Sequence, residues 1–425
     1  MKKLRIAAIT TACLFVIIQI VELIVFFGAP QYSDQIFHVK CATNAFNENL
    51  WYPTVNNLHD DFIVAPGLIN FLILQLRLFG TTNYNGVFQL FMNVAMLYEV
   101  FYIAKHFFTE KVGYIATIIY CLLISNYVDI LIWGTEMPFL FLGMTGFCLC
   151  LTKKWYNVLL ASVLFAMSNT IRPISLLFVV IILIYLATNK VNWKHYALLC
   201  IPYFALNFGY GKINEARIGH FVNTSTTGGT NLLQTAHDKA DGTTANGLII
   251  MYRHPKYAYM KNRDKTVFEK DKMWKDAGID WIKNNPTKYL KMFFYKVPYM
   301  YADDTWPVRI CSDQTVTQCD QSNKTKLMLS LIAMNIPYYC IFILALLSVL
   351  LFGKKLYSDH KGSFILLLYL IMGTAGTVIM PVLPRYHYPF MFTIVILAAY
   401  SAECIYNKRT KKIIKTQMLS YKTFH

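Results

Sequence analysis

Long apolar runs alternate with short polar turns along almost the whole chain. The runs are Ile6–Phe27, Val87–Ala104, Val112–Trp133, Pro138–Leu151, Asn157–Thr170, Pro173–Ala187, Tyr196–Phe208, Leu327–Phe352, Phe364–Met380 and Tyr388–Ile405. Apolar runs on the order of 18 residues with few charges read as membrane spans. The pattern therefore predicts an all-α polytopic membrane protein with a bundle of ten helices. An eleventh apolar stretch, Phe62–Phe79, carries Pro66, Gly67, Asn70, Gln75 and Arg77, which suits an interfacial helix better than a lipid-facing span.

The basic residues order these runs. Lys and Arg gather at Lys2–Arg5, Lys105–Lys111, Lys153–Lys154, Lys190–Lys194, Lys354–Lys361 and Lys408–Lys415. Cytoplasmic loops collect such clusters. All six fall on one side only if Phe62–Phe79 does not cross and lies instead as a juxtamembrane helix on the outer face. Both termini are then cytoplasmic. The expected organisation is an N-terminal transmembrane module (1–208) with a first outer loop (28–86), an extracytoplasmic segment (209–326), C-terminal helices (327–406) and a basic cytoplasmic tail (407–425). The first run reaches Phe27 with no small-x-small cleavage site, so it reads as a retained span and not a signal peptide.

Composition agrees. The chain is 56% hydrophobic and 15% charged, against about 25% charged in soluble domains. The net charge of +17 belongs to the inner loops. No basic stretch is interleaved with aromatics as a nucleic-acid surface requires. Most of the ten cysteines lie in apolar runs and act as small hydrophobes. Cys311 and Cys319, in the polar segment, read equally as a bonded pair or as two free thiols. Within that segment Gly228-Gly229 and Asp241-Gly242 mark turns. Glu269–Asn284 and Thr287–Tyr299 read as helices, and Asn223-Thr-Ser and Asn323-Lys-Thr are sequons.

The predicted topology gathers ionisable residues at the outer face: Asp34, His59, Asp60, Asp61, Glu136, Arg172, Arg385, His387, Asp303, Asp304 and Arg309. A carboxylate just after the first span, Asp34, can take the proton of an attacking hydroxyl; it can equally cap a helix starting at Gln35. Arg172 and Arg385 sit at hairpin tips, where guanidinium groups meet either a membrane-embedded phosphate or ordinary head groups. Glu136 can orient one of those arginines, bind a sugar hydroxyl, or favour the start of its helix. The pairs Asp60-Asp61 and Asp303-Asp304 are a weak pattern for a divalent cation. No residue is assigned to a metal, and no cofactor is required. Mid-span charges are few, with Glu22 and Glu99 the visible ones.

The order of these features resembles the GT-C superfamily of polyprenyl-phosphate-sugar-dependent glycosyltransferases, in the branch of protein O-mannosyltransferases and aminoarabinose–lipid A transferases. The resemblance rests on the acid after the first span, a Pro66-Gly67 juxtamembrane helix ending Leu78-Phe-Gly, Thr135-Glu136 opening a span, Arg172-Pro173, and Arg385-Tyr386-His-Tyr-Pro389 opening the last span. It covers about residues 1–406, excepting most of 209–326. It implies Asp34 as the catalytic acid, acting as general base. The candidates for a substrate site are Glu136, Arg172, Arg385, Tyr386, Lys296, His59, Asp60 and Asp61. The expected activity moves a sugar, with inversion, from a polyprenyl-monophosphate donor to an acceptor at the outer face, most simply in a bacterial plasma membrane. The acceptor class, whether protein, glycolipid or cell-wall polymer, stays open. A polymerase or ligase using a diphosphate-linked donor, a lipid-linked sugar flippase or transporter, and a non-catalytic membrane scaffold are the rivals; the scaffold gives no reason for acids gathered at the outer face. A transporter would show paired mid-bilayer charges and inverted repeats, and the sequence has neither.

Overall fold

The structure is a computed structural model that describes residues 1–29, 31, 33–317 and 321–423; Cys319 lies outside the described residues. Among the described residues the first half contains ten α-helices, α1 (Lys2–Val25), α2 (Asp34–Asn47), α3 (Pro66–Phe79), α4 (Asn85–Phe107), α5 (Glu110–Cys121), α6 (Ser125–Val128), α7 (Glu136–Leu151), α8 (Trp155–Ile171), α9 (Leu176–Thr188) and α10 (Trp193–Ile218). The polar segment folds as α11 (Gly228–Thr235), α12 (Thr244–Arg253), α13 (Val267–Asn284), α14 (Pro286–Met300) and α15 (Trp306–Thr317). The chain ends with α16 (Gln321–Leu350), α17 (Gly353–Asp359), α18 (Phe364–Thr377) and α19 (Met391–Thr423).

Among the described residues four helices are long and apolar enough to cross a membrane, or five if one bent pair counts as a span, against the ten expected. Five further apolar helices, α3, α7, α8, the Pro173–Thr188 stretch and α18, are shorter. The first and last spans differ in role. Only 17% of the apolar window of α1 is buried, whereas 83% of the window that includes α19 is. The last helix is thus the centre of the bundle and the first faces outward, although the first is the more apolar in sequence, with a mean hydropathy of 2.4 against 1.5. With 14 residues, α3 rises about 21 Å, short of a bilayer core of roughly 30 Å. It buries Leu68, Ile69, Leu72 and Ile73 against α2 and α8.

The expected continuous span Val112–Trp133 is corrected: it is broken after Cys121, and its two halves meet at 71°. A break inside an apolar bundle strands backbone carbonyls that need partners. Amides on neighbouring helices supply them. Asn93 Nδ2 donates to Asn126 O at 2.6 Å, Gln19 Nε2 to the same carbonyl at 3.3 Å, and Gln89 Nε2 to Ile132 O at 2.8 Å. Asn126 Nδ2 returns to Tyr120 O at 2.9 Å. Beyond the break, Gln31 receives Trp133 N at 3.0 Å and donates to Leu131 O at 3.1 Å. The amides at 19, 89 and 93, inside predicted spans, were the available signal for this bend.

The 208/209 boundary falls inside α10, which continues to Ile218. The two helices expected in the polar segment form as α13 and α14. A Thr266/Glu269 capping box starts α13, and Pro286 opens α14. Lys270 is wholly buried and donates to His59 O and Asp60 O at 3.0 Å each. This ties the polar segment to the loop that follows α2.

Candidate active site

Four chain ends meet at one cavity. Asp34 opens α2 next to Ser33, whose φ is 53°. Glu136 opens α7. Arg172 closes α8 ahead of Pro173. Arg385 stands in the Pro384–Phe390 turn that leads into α19. A first-turn carboxylate is favoured by the helix dipole at both acidic positions.

Their side chains form an alternating chain of charge. Arg385 Nη2 donates to Asp34 Oδ2 at 2.6 Å. Arg385 Nε lies 3.8 Å from Glu136 Oε1. Arg172 Nη2 reaches the same Glu136 oxygen at 2.6 Å, and Arg172 Nε donates to Thr135 Oγ1 at 2.8 Å. Arg385 also lies over the Trp306 ring, 4.4 Å from its centroid, and Tyr386 lies beneath both arginines. Guanidinium planes bind carboxylates and phosphates by the same fork geometry, so both arginines are placed to exchange one anion for another.

Asp34, Glu136, Arg172, Arg385 and Tyr386 all line a cavity of ≈ 660 Å³, together with Gln35, His38, Ser225, Thr227 and Asn231. Apolar residues, among them Ile171, Ile174, Met380 and Phe390, complete its wall. The Asp34 side chain keeps 56% of its exposure because it faces this open space, while Arg385 behind it keeps 13%. Burial pushes the Asp34 carboxyl up, but the charge and hydrogen bond of Arg385 outweigh it, with help from His38 and Arg172. The carboxyl is held below its usual range.

The other sequence candidates lie elsewhere. Lys296 is fully buried on α14, donates to Val378 O at 3.0 Å, and is sandwiched by Tyr289 and Phe293. Burial pushes it down to about 8, and it does not reach the cavity. Asp60 accepts from Asn57 Nδ2 at 2.8 Å. Asp61 pairs with Lys270 at 3.6 Å, and the His59 carbonyl is taken by the same lysine. These residues fasten a loop.

Asp303 accepts from Thr305 N at 3.1 Å. Asp304 Oδ1 faces His387 Nε2 at 3.1 Å, and its Oδ2 accepts from Ser125 Oγ at 2.5 Å. The His387 contact joins the polar segment to the turn that carries Arg385. Among the described residues no three His, Cys, Asp or Glu side chains gather closely enough to hold a metal ion. Sequence reasoning missed Gln35, His38, Ser225, Thr227, Asn231 and Trp306, since no local motif sets them apart from the same residue types elsewhere in the chain.

No family model matches the chain, and no curated protein matches it. Solved structures do. The fold is similar to that of an archaeal oligosaccharyltransferase. The apo enzyme of Archaeoglobus fulgidus superposes with a TM-score of 0.50 at 10% identity, over 97% of this chain and 52% of that one. Archaeal oligosaccharyltransferase AglB from the same organism, in complex with an inhibitory peptide and a dolichol-phosphate, gives 0.50 at 11% identity, over 96% and 52%. The chain thus spans about half the length of the oligosaccharyltransferase structures it matches, and at this identity the likeness is one of fold.

Proposed function

We propose that this protein is an integral-membrane glycosyltransferase of GT-C type, using a sugar carried on a polyprenyl monophosphate and facing the extracytoplasmic side of a bacterial plasma membrane. The observation that carries this reading is the 2.6 Å contact between Asp34 and Arg385, in one cavity with a second arginine. An oligosaccharyltransferase fold, and the dolichol-phosphate complex of that neighbour, agree with lipid-linked glycosyl transfer.

In the proposed reaction the acceptor hydroxyl gives its proton to an Asp34 carboxylate oxygen as its own oxygen bonds to the anomeric carbon. The bond from that carbon to the phosphate oxygen breaks, and its electrons leave with the lipid phosphate. Arg172 and Arg385 neutralise the charge that develops there. A single displacement inverts the anomeric configuration. The pairing with Arg385 keeps Asp34 ionised and ready to accept a proton. The acceptor is a hydroxyl of a protein, glycolipid or cell-wall polymer.

The test is release of radiolabelled sugar from a panel of polyprenyl-monophosphate donors by protein in lipid, with Asp34→Asn alongside. Asp34-dependent release is expected. Release only from diphosphate-linked oligosaccharides would replace this reading with the polymerase or ligase one, and release from none would favour a transporter.

A further inference from the structure

Between Arg172 and Arg385 in the chain, the segment 224–231 supplies three uncharged hydrogen-bonding groups to the cavity wall: Ser225, Thr227 and Asn231. The segment is fastened by alternate side chains. Thr224 Oγ1 donates to Asn169 O at 2.8 Å. Thr226 exchanges two bonds with Ile63: Ile63 N to Thr226 Oγ1 at 2.9 Å, and Thr226 N to Ile63 O at 2.8 Å. The residues between the anchors, Ser225 and Thr227, line the cavity. Their hydroxyls bond to one another at 3.2 Å. Thr227 makes no capping bond to α11, and among the described residues the Asn231 side chain has no hydrogen bond.

The shelf is anchored at both ends, one anchor lying close to Arg172 in the chain. Asn169 stands three positions before Arg172 on α8; its Nδ2 donates to Asn207 Oδ1 at 2.6 Å, and its Oδ1 accepts from Ser175 Oγ at 3.2 Å. At the far end, Gly229 N donates to Asp271 Oδ1 at 2.5 Å. A Cβ at Gly229 would fall 1.9 Å from Asp271 O, so only glycine allows α11 to approach α13 this closely. Polar groups locked by their surroundings and turned to a cavity are the makings of a specificity site.

We infer that Ser225, Thr227 and Asn231 form the subsite that reads the ring hydroxyls of an uncharged glycosyl group. The charge balance of the cavity selects the class. Asp34, Glu136, Arg172 and Arg385 already neutralise one another. A phosphate engages the arginines, which leaves no spare cation for a uronate. Ser225, Thr227 and Asn231 themselves carry no charge, and their hydroxyls and amide match neutral hydroxyl or N-acyl groups. This inference rests on the cavity being the lipid-phosphate-sugar site proposed above.

The experiment measures binding to the full chain in nanodiscs of polyprenyl monophosphate and of the same lipid phosphate bearing a neutral hexose, with uronic-acid and amino-sugar counterparts tested on the wild type. The variants are Ser225→Ala/Thr227→Val, which keeps volume and all anchors, and separately Asn231→Leu. Each is expected to weaken the hexose-bearing ligand roughly tenfold, as the loss of one or two hydrogen bonds does, and to leave polyprenyl monophosphate unchanged. Equal weakening of both ligands, or of neither, overturns the subsite. So does a uronic or amino sugar bound as tightly as the hexose by the wild type. Failure of the wild type to bind either ligand would instead remove the reading of the cavity itself.

Discussion

Asp34 and Arg385, 351 positions apart, are joined by a 2.6 Å charged hydrogen bond in the cavity wall. The guanidinium that keeps the carboxylate ionised is also one of the two that would receive the lipid phosphate. In the proposed reaction, base and substrate would therefore compete for the same cation.

The competition makes Asp34→Asn act in two directions. Transfer should fall by about 10²–10⁴-fold, the usual contribution of a general base. Binding of polyprenyl monophosphate should tighten, because Arg385 loses its internal anion. Both are read on one preparation, by sugar release and by lipid-phosphate titration. Weaker phosphate binding by the variant would contradict the competition.

The same pair predicts a pH signature. Arg385 holds the Asp34 carboxyl below its ordinary range in the free protein. The acid limb of kcat/KM, which reports the free enzyme, should lie below the usual value of about 3.9. The limb of kcat should lie higher, since bound phosphate then shares the arginine. For stability the sign follows from a depressed acid. The contribution of the pair is present above about pH 3.9 and is lost as pH falls through the lower folded value. Coincident limbs in kcat and kcat/KM would show that the arginine never leaves the carboxylate.

Arg172 bonds Thr135 and Glu136 with two different nitrogens, at 2.8 and 2.6 Å. A lysine cannot reproduce this fork. Arg172→Lys is expected to reduce transfer by roughly 10–100-fold, about 1.4–2.7 kcal/mol at 1.36 kcal/mol per decade, while thermal unfolding changes little. Full activity in that variant would take Arg172 out of the site.

Lys296→Met should leave transfer intact, since the lysine is sealed against Val378 O and two aromatic rings. Burial holds this lysine near 8, against about 10.4 in an unfolded chain. Between those values the unfolded chain binds more protons, so wild-type stability rises with pH across that window. The methionine variant should lack that rise in a thermal-unfolding series. An activity loss in a well-folded variant would return Lys296 to the phosphate.

Much of the site was legible in the sequence because its charged members lie at the ends of apolar runs. An ionised group cannot rest in the hydrocarbon region without a partner, so Asp34, Glu136, Arg172 and Arg385 were confined to tips that gather at one end of a bundle. His59, Asp60, Asp61 and Lys296 met the same criterion of residue type and position. What separates them is place: their partners hold them away from the cavity wall. Lys270 takes the loop at 59–61, and a backbone carbonyl takes Lys296. Nothing local marks a lysine 211 positions away as the owner of that loop.

By itself the sequence determined the solvent of this protein, the helical period of its runs, and which charges must stand near the boundary. Each of these follows from local hydropathy and from backbone groups that must be satisfied within a helix. Only the tertiary structure decided that the span at 112–133 bends, that α19 is the centre and α1 the rim, and that Ser225, Thr227 and Asn231 share a wall with Asp34. These depend on contacts between residues far apart in the chain. Amides at 19, 89 and 93 satisfy a break in another helix, and threonines at 224 and 226 pin a loop to α8 and to Ile63. Such pairings carry no periodic trace along a single chain.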